Sequence, residues 1–252
     1  MKKRVLTIFL VAALAGGLCL LGWRGLERAR GAADYSEAQQ IAGVEPPEEE
    51  PAHSSAEEPD PYAAALADVD LEALQAVNSD VLGWISIPDT ELSYPILQAA
   101  DNQYYLNHTW KQERNPRGSI FMECTNSPDF AQFNTILYGH RMNNDSMFGT
   151  LKYYSNLDFW REHPSVYIVN GTGVHRYDIF AAHEVGVRDI VYRLDLEESG
   201  LREDFLAFCR EKSVLDTGIA PQAEDQVLML STCVDSSSQS PIRWVVLAVL
   251  SE

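Results

Sequence analysis

The stretch QVLMLSTCVDSSSQSPIRWVVLAVL, residues 226–250, decides how the chain is read. An apolar run from Val227 climbs through Leu230 to Ser231, Thr232 and Cys233. A serine-rich polar loop follows, and a second apolar run opens on Ile242 and Arg243. Both runs have strand length, and the loop between them is a turn signal. They predict two closing strands, with a cysteine ending one and an arginine opening the next. Taken alone, Cys233 is either a buried core thiol or a nucleophile with an arginine placed across from it.

Working outward, TILYGHRMNND (135–145) is another apolar run, and it ends on Gly139-His140 before turning polar. An imidazole at a strand end stands where a rim site on a β scaffold is built. LGWISIP, LSYPIL and GSIFM are further short strands, and SVYIVNGTGVHRYDIFAAHEV reads as a hairpin around Asn170-Gly171. Helical spacing is seen in DVDLEALQAVNSD, where Asp68 or Asp70 is placed to cap, and in LEESGLREDFLAFCREK through Leu201, Phe205, Leu206 and Phe208. SMFGTLKYY and NLDFWREH are shorter helices. About eight short strands with helices between them predict a mostly β barrel or sandwich with helical insertions.

The formal net charge of −18 over 252 residues argues against a nucleic-acid partner, since phosphate binding needs a basic stripe. At the N-terminus, Lys2, Lys3 and Arg4 precede an apolar run from Val5 to Trp23. At about 1.5 Å per helical residue this run nearly crosses a bilayer core, so residues 1–30 are expected to be an uncleaved membrane anchor. Residues 31–62, rich in proline and glutamate, are expected to be an extended linker. Residues 63–252 are then the folded domain. Its cysteines, Cys124, Cys209 and Cys233, form no C-x-x-C pair, so a thiolate zinc site is not expected. His175 and His183, eight apart on one predicted strand, are placed to share a face but have no third ligand. No metal and no cofactor are expected. Cys209 shares a helix face with Phe205 and reads as core.

The combination of LSTC ending a strand, an arginine opening the next and YGH ending an earlier one resembles the sortases, cysteine transpeptidases of Gram-positive surfaces. The family signature before the cysteine is T-L-x-T-C; here it is Met229-Leu230-Ser231-Thr232-Cys233, with Met229 in place of the first threonine. The N-terminal helix, YYLNH (104–108), GSIFM, ILYGH and the helical insertion before the last two strands are most similar to class B members. The resemblance runs from about residue 65 to the C-terminus.

The resemblance implies an eight-stranded β-barrel with an N-terminal helix and a long helical insertion before the last two strands. It implies a single-pass membrane protein with its catalytic domain outside the cell. Its substrates are secreted proteins carrying a C-terminal sorting signal, cleaved after threonine through a thioacyl-enzyme. The acceptor is an amine of peptidoglycan or, in pilus-building members, a lysine of another subunit. Cys233 is then the nucleophile, His140 the general acid and base, and Arg243 with the Val234 N–H the oxyanion donors. Asp235 is implied as a residue orienting His140, and Ser231, Asn107 and Thr232 as substrate contacts. Two readings compete: a membrane-tethered cysteine hydrolase, in which water resolves the same intermediate, and a tethered binding module with a structural Cys233.

Overall fold

The computed structural model describes residues 22, 25–27, 29–44, 60–233 and 240–251. The apolar run Val5–Trp23, apart from Gly22, and residues Val234 and Asp235 fall outside these. Among the described residues no helix is long and apolar enough to cross a membrane.

A helix over 29–42 (α1) comes first. Next are α2 (Pro61–Leu66), started by Asp60, whose carboxylate accepts from the Tyr62 and Ala63 amides, and α3 (Leu71–Val77), capped by Asp70 onto the Ala73 amide at 2.8 Å. Such caps satisfy amides that a helix start leaves unpaired. Eight strands follow: β1 (Val81–Ser86), β2 (Ser93–Leu97), β3 (Ile120–Met122), β4 (Asn134–Tyr138), β5 (Ser165–Asn170), β6 (Gly173–Gly186), β7 (Val227–Cys233) and β8 (Ile242–Leu250). Between β4 and β5 lies α4 (Leu157–Glu162), and between β6 and β7 the long insertion helix α5 (Ser199–Lys212).

The strands close into a barrel in the order β1-β2-β3-β4-β7-β8-β6-β5. Pairs β2–β3 and β4–β7 are parallel and the rest antiparallel. The mostly β, eight-stranded barrel with an N-terminal helix and a helical insertion is thus the observed architecture. The β5–β6 hairpin turns where expected: Asn170 pairs with Gly173, and its side chain accepts from the Thr172 amide at 2.8 Å.

The continuous apolar character of β7 and β8 follows from burial on both faces. Leu228, Leu230, Val246 and Ala248 enter the larger core, shared with β1–β5 and α1–α3. Val227, Met229, Val245 and Leu247 enter a second core with Phe205, Leu206 and Cys209 of α5. Each fully buried aliphatic side chain contributes about 1.5–3 kcal/mol. These two strands are therefore anchored in both cores along most of their length, and they end at a rim.

Two expectations are corrected. Residues 31–42 are not extended linker. Tyr35, Ala38 and Ala42 of α1 are buried against the barrel; Trp110 Nε1 donates to the Asp34 carbonyl at 2.7 Å, and Lys111 pairs with Glu37 at 2.5 Å. This helix buries a thin stripe of one tyrosine and two alanines, which the acidic residues after it mask in composition. Secondly, His175 and His183 do not share a face. A bulge between Ile179 and Ala181 shifts the register of β6 on β8, so His175 stays in phase with Ile179 while His183, opposite Val245, moves to the α5 side.

Candidate active site

β4, β7 and β8 are neighbours in the barrel, and the C-terminal ends of β4 and β7 meet the start of β8. The ladder pairs Cys233 directly with Arg243 and Tyr138 with Ser231. The Gly139 amide continues the β4–β7 ladder onto the Ser231 carbonyl at 3.3 Å. Carried two residues on, the parallel register sets His140 level with Cys233. Three strand ends thus bring His140, Cys233 and Arg243 to one rim, on adjacent strands.

Local sequence explains why β4 stops there. Gly139 is pressed by the ring of Phe148; a Cβ at this position would lie 2.8 Å from that ring, so only glycine admits it. The Phe148 amide bonds the His140 carbonyl at 3.0 Å, turning the chain back over the rim. The His140 ring is half-buried, and its Nε2 lies 2.7 Å from the Leu106 carbonyl. A carbonyl oxygen only accepts, so this nitrogen carries a proton and leaves Nδ1 for exchange.

Arg243 is half-buried. Its Nη1 donates to the carbonyls of Ser240 and Ile242, the latter at 3.0 Å. Among the described residues no carboxylate is within ion-pair distance of it. A guanidinium held on neutral acceptors keeps its full charge available to a developing anion.

The other expected contacts scatter. Ser231 is at the rim, but its hydroxyl is buried and lies 2.8 Å from that of Tyr192 in the 3₁₀ turn Ile190–Tyr192. Thr232 is buried on the opposite face of β7, in register with Trp244, and its hydroxyl has no hydrogen-bond partner among the described residues. Asn107 is exposed and lines a cleft of about 620 Å³ with Glu27, Arg114, Asn115, Arg117 and Met142; neither Ser231 nor Arg243 reaches it. Asp235 lies outside the described residues.

Sequence reading missed the Leu106 carbonyl, because a backbone acceptor leaves no residue-type signal. It also missed a network behind β4. Burial pushes the Glu123 carboxyl up, but hydrogen bonds from Asn102 (2.6 Å), Tyr138 (2.9 Å), the Cys124 thiol and Thr125 together hold it below the usual range. A fixed anion therefore sits beside the strand that carries His140. Cys124 is a poor nucleophile, since burial and the Glu123 carboxylate both push its thiol up. Burial alone does the same to Cys209, fully enclosed on the inner face of α5.

Comparison with known proteins agrees with this geometry. The sortase domain family matches residues 85–251. Sortase B of Listeria monocytogenes is 36% identical over 177 residues, 70% of this chain and 72% of that protein. Sortase B of Staphylococcus aureus is 34% identical over the same length and shares. Among solved structures, the Staphylococcus aureus sortase B–substrate complex superposes with a TM-score of 0.76 at 28% identity, over 90% of this chain and 99% of that one. The chain belongs to the sortase family of cysteine transpeptidases, and within it to the class B sortases.

Proposed function

We propose that this sortase cleaves a C-terminal sorting signal of secreted proteins after threonine and transfers the freed acyl group to an amine of peptidoglycan. The observation that carries this reading is the rim: Cys233 is paired with Arg243 on β8, and the β4–β7 register leads to His140. Support also comes from the similar fold of a sortase B solved with its substrate.

In the proposed reaction the Cys233 thiolate attacks the carbonyl carbon of the threonine, forming a C–S bond and an oxyanion. Arg243 moves its donors from the Ser240 and Ile242 carbonyls toward that charge, and the Val234 amide is a second donor. The intermediate collapses, the C–N bond breaks, and His140 gives its Nδ1 proton to the leaving amine. The acceptor amine then attacks the thioester, His140 takes the proton back, and the thiolate leaves. Asp235 would orient His140 from the segment after β7, and Asn107 would contact substrate from the cleft beside it. Ser231 would contact substrate once its bond to Tyr192 opens. Thr232 would act as a contact only by supporting the β7 backbone from beneath. The apolar run Val5–Trp23 would tether the domain to the outer face of the membrane.

The test is a pentapeptide library screened by mass spectrometry with several amines present. The expected product is an amide joining the acyl fragment to a peptidoglycan-type amine. Preference for a protein lysine would assign the chain to pilin polymerisation. Free acid alone, whatever amine is added, would make it a tethered hydrolase and overturn the proposal.

A further inference from the structure

We infer that Tyr35 of α1 is a positioning residue for His140, acting through Gly118, Ser119 and the Leu106 carbonyl. The inference rests on His140 being the acid and base of the reaction proposed above.

The chain of contacts runs inward from the N-terminal helix. The buried Tyr35 hydroxyl donates to the Gly118 carbonyl at 2.6 Å and lies 2.9 Å from Ser119 Oγ. Its ring is set edge-on against Tyr94, with centroids 5.3 Å apart. Ser119 is tied onward twice: its amide bonds the Tyr105 carbonyl at 2.9 Å, and its Oγ donates to the His108 carbonyl at 2.8 Å. Gly118 has φ +59°, and a Cβ on it would meet the carbonyl oxygens of Tyr105 at 2.6 Å and Leu106 at 2.7 Å. The Gly118 backbone therefore lies against the Leu106 carbonyl at an approach that only glycine allows.

The far side of the same turn is also held. Tyr105 donates to Asp80 at 2.6 Å, and the Asn115 amide bonds the Asn107 carbonyl at 2.9 Å. With the turn clamped there, the remaining freedom of the Leu106 carbonyl is set by Gly118 and Ser119, and these are set by Tyr35. That carbonyl receives the Nε2 proton of His140 at 2.7 Å. Its position decides which ring nitrogen is protonated in the neutral imidazole, and so whether Nδ1 is free to trade a proton with the reacting groups. The N-terminal helix thereby reaches the chemistry without touching substrate.

The test uses the full chain and two readouts: the protonated nitrogen of His140 by ¹⁵N NMR of the imidazole, and kcat against KM. With His140 neutral, the wild type is expected to show the proton on Nε2 and none on Nδ1. Tyr35→Phe, which keeps the ring and removes the hydroxyl, is expected to mix the two tautomers and lower kcat about tenfold with little change in KM. Gly118→Ala should do the same more strongly where it folds. Tyr154→Phe, which loses a comparable hydroxyl bond to the His163 carbonyl at 2.8 Å, is the matched control and should move neither readout. A Tyr35→Phe enzyme that melts earlier but keeps tautomer and kcat overturns the inference. Retained activity in His140→Ala would overturn the reaction assignment instead, while the tautomer readout in Tyr35→Phe still decides on the contact chain.

Discussion

The rim at the ends of β4 and β7 and the seam between β6 and α5 each hold a histidine, and the two differ in what surrounds them. His140 is half-buried, follows a strand end and gives its Nε2 proton to a carbonyl. His183 is 1% exposed, lies mid-strand at 6.0 Å from the Phe208 ring and, among the described residues, has no hydrogen-bond partner on Nε2. Burial, opposed only weakly by its contact to the Glu184 carbonyl and by the Asp189 charge, pushes the His183 imidazole below its usual range. A histidine is placed for proton chemistry where a strand stops and a backbone group fixes one nitrogen. Buried mid-strand under a helix, the same residue is a neutral core side chain.

The largest test of this contrast is at the rim. Cys233→Ala is expected to abolish thioacyl formation, read as loss of the enzyme–acyl adduct by mass spectrometry. His140→Ala and Arg243→Ala should each lower turnover by about 10²–10⁴-fold. Full activity in Arg243→Ala would remove the oxyanion role. His183→Gln, by contrast, should leave kcat unchanged in the folded enzyme.

The seam should respond in stability. Met229 is fully enclosed beneath α5, so Met229→Ala is expected to cost about 2–5 kcal/mol in denaturant unfolding, with kcat per folded molecule unchanged. A fall in kcat without a fall in stability would mean that β7 transmits packing to its end. Met229 thus reads as a core substitution within the family signature, lying on the side of β7 that α5 covers.

Much of this was legible in the sequence, and for a physical reason. Strand ends show as an apolar run meeting polar residues, so Cys233, His140 and Arg243 could be placed before any coordinates. Strands buried on both faces lose the alternation that tells inside from outside, so the hydroxyl of Ser231 gave no sign that Tyr192 covers it. The bulge near Phe180 is a backbone event, and it was the bulge that separated His175 from His183. α1 was hidden because alanines carry its contact, and the Leu106 carbonyl because every residue has one.

The smallest predicted effect is in pH. Because the folded His183 pKa is depressed, the neutral form is favoured in the native state. Above about pH 6.5 both native and unfolded chains hold it neutral, and no penalty arises. As pH falls through that value, the unfolded chain takes up the proton first, so stability declines until the folded pKa is reached. His183→Gln should flatten this part of the curve in unfolding measured between pH 7.5 and 5.5. An unchanged slope would place the titration elsewhere.

The pairing of β1 with β5 closes the barrel, and this bears on how a peptide is recognised. Proteins that capture extended peptides often do so by offering a free sheet edge, where main-chain ladders supply affinity blind to sequence. A ring of eight strands offers no such edge among the described residues. On the reading proposed above, a signal at this rim would be held by its side chains and by loop groups rather than by a free strand edge. Selectivity is then set by the segments that frame the rim, and it can change between relatives while the barrel beneath stays the same.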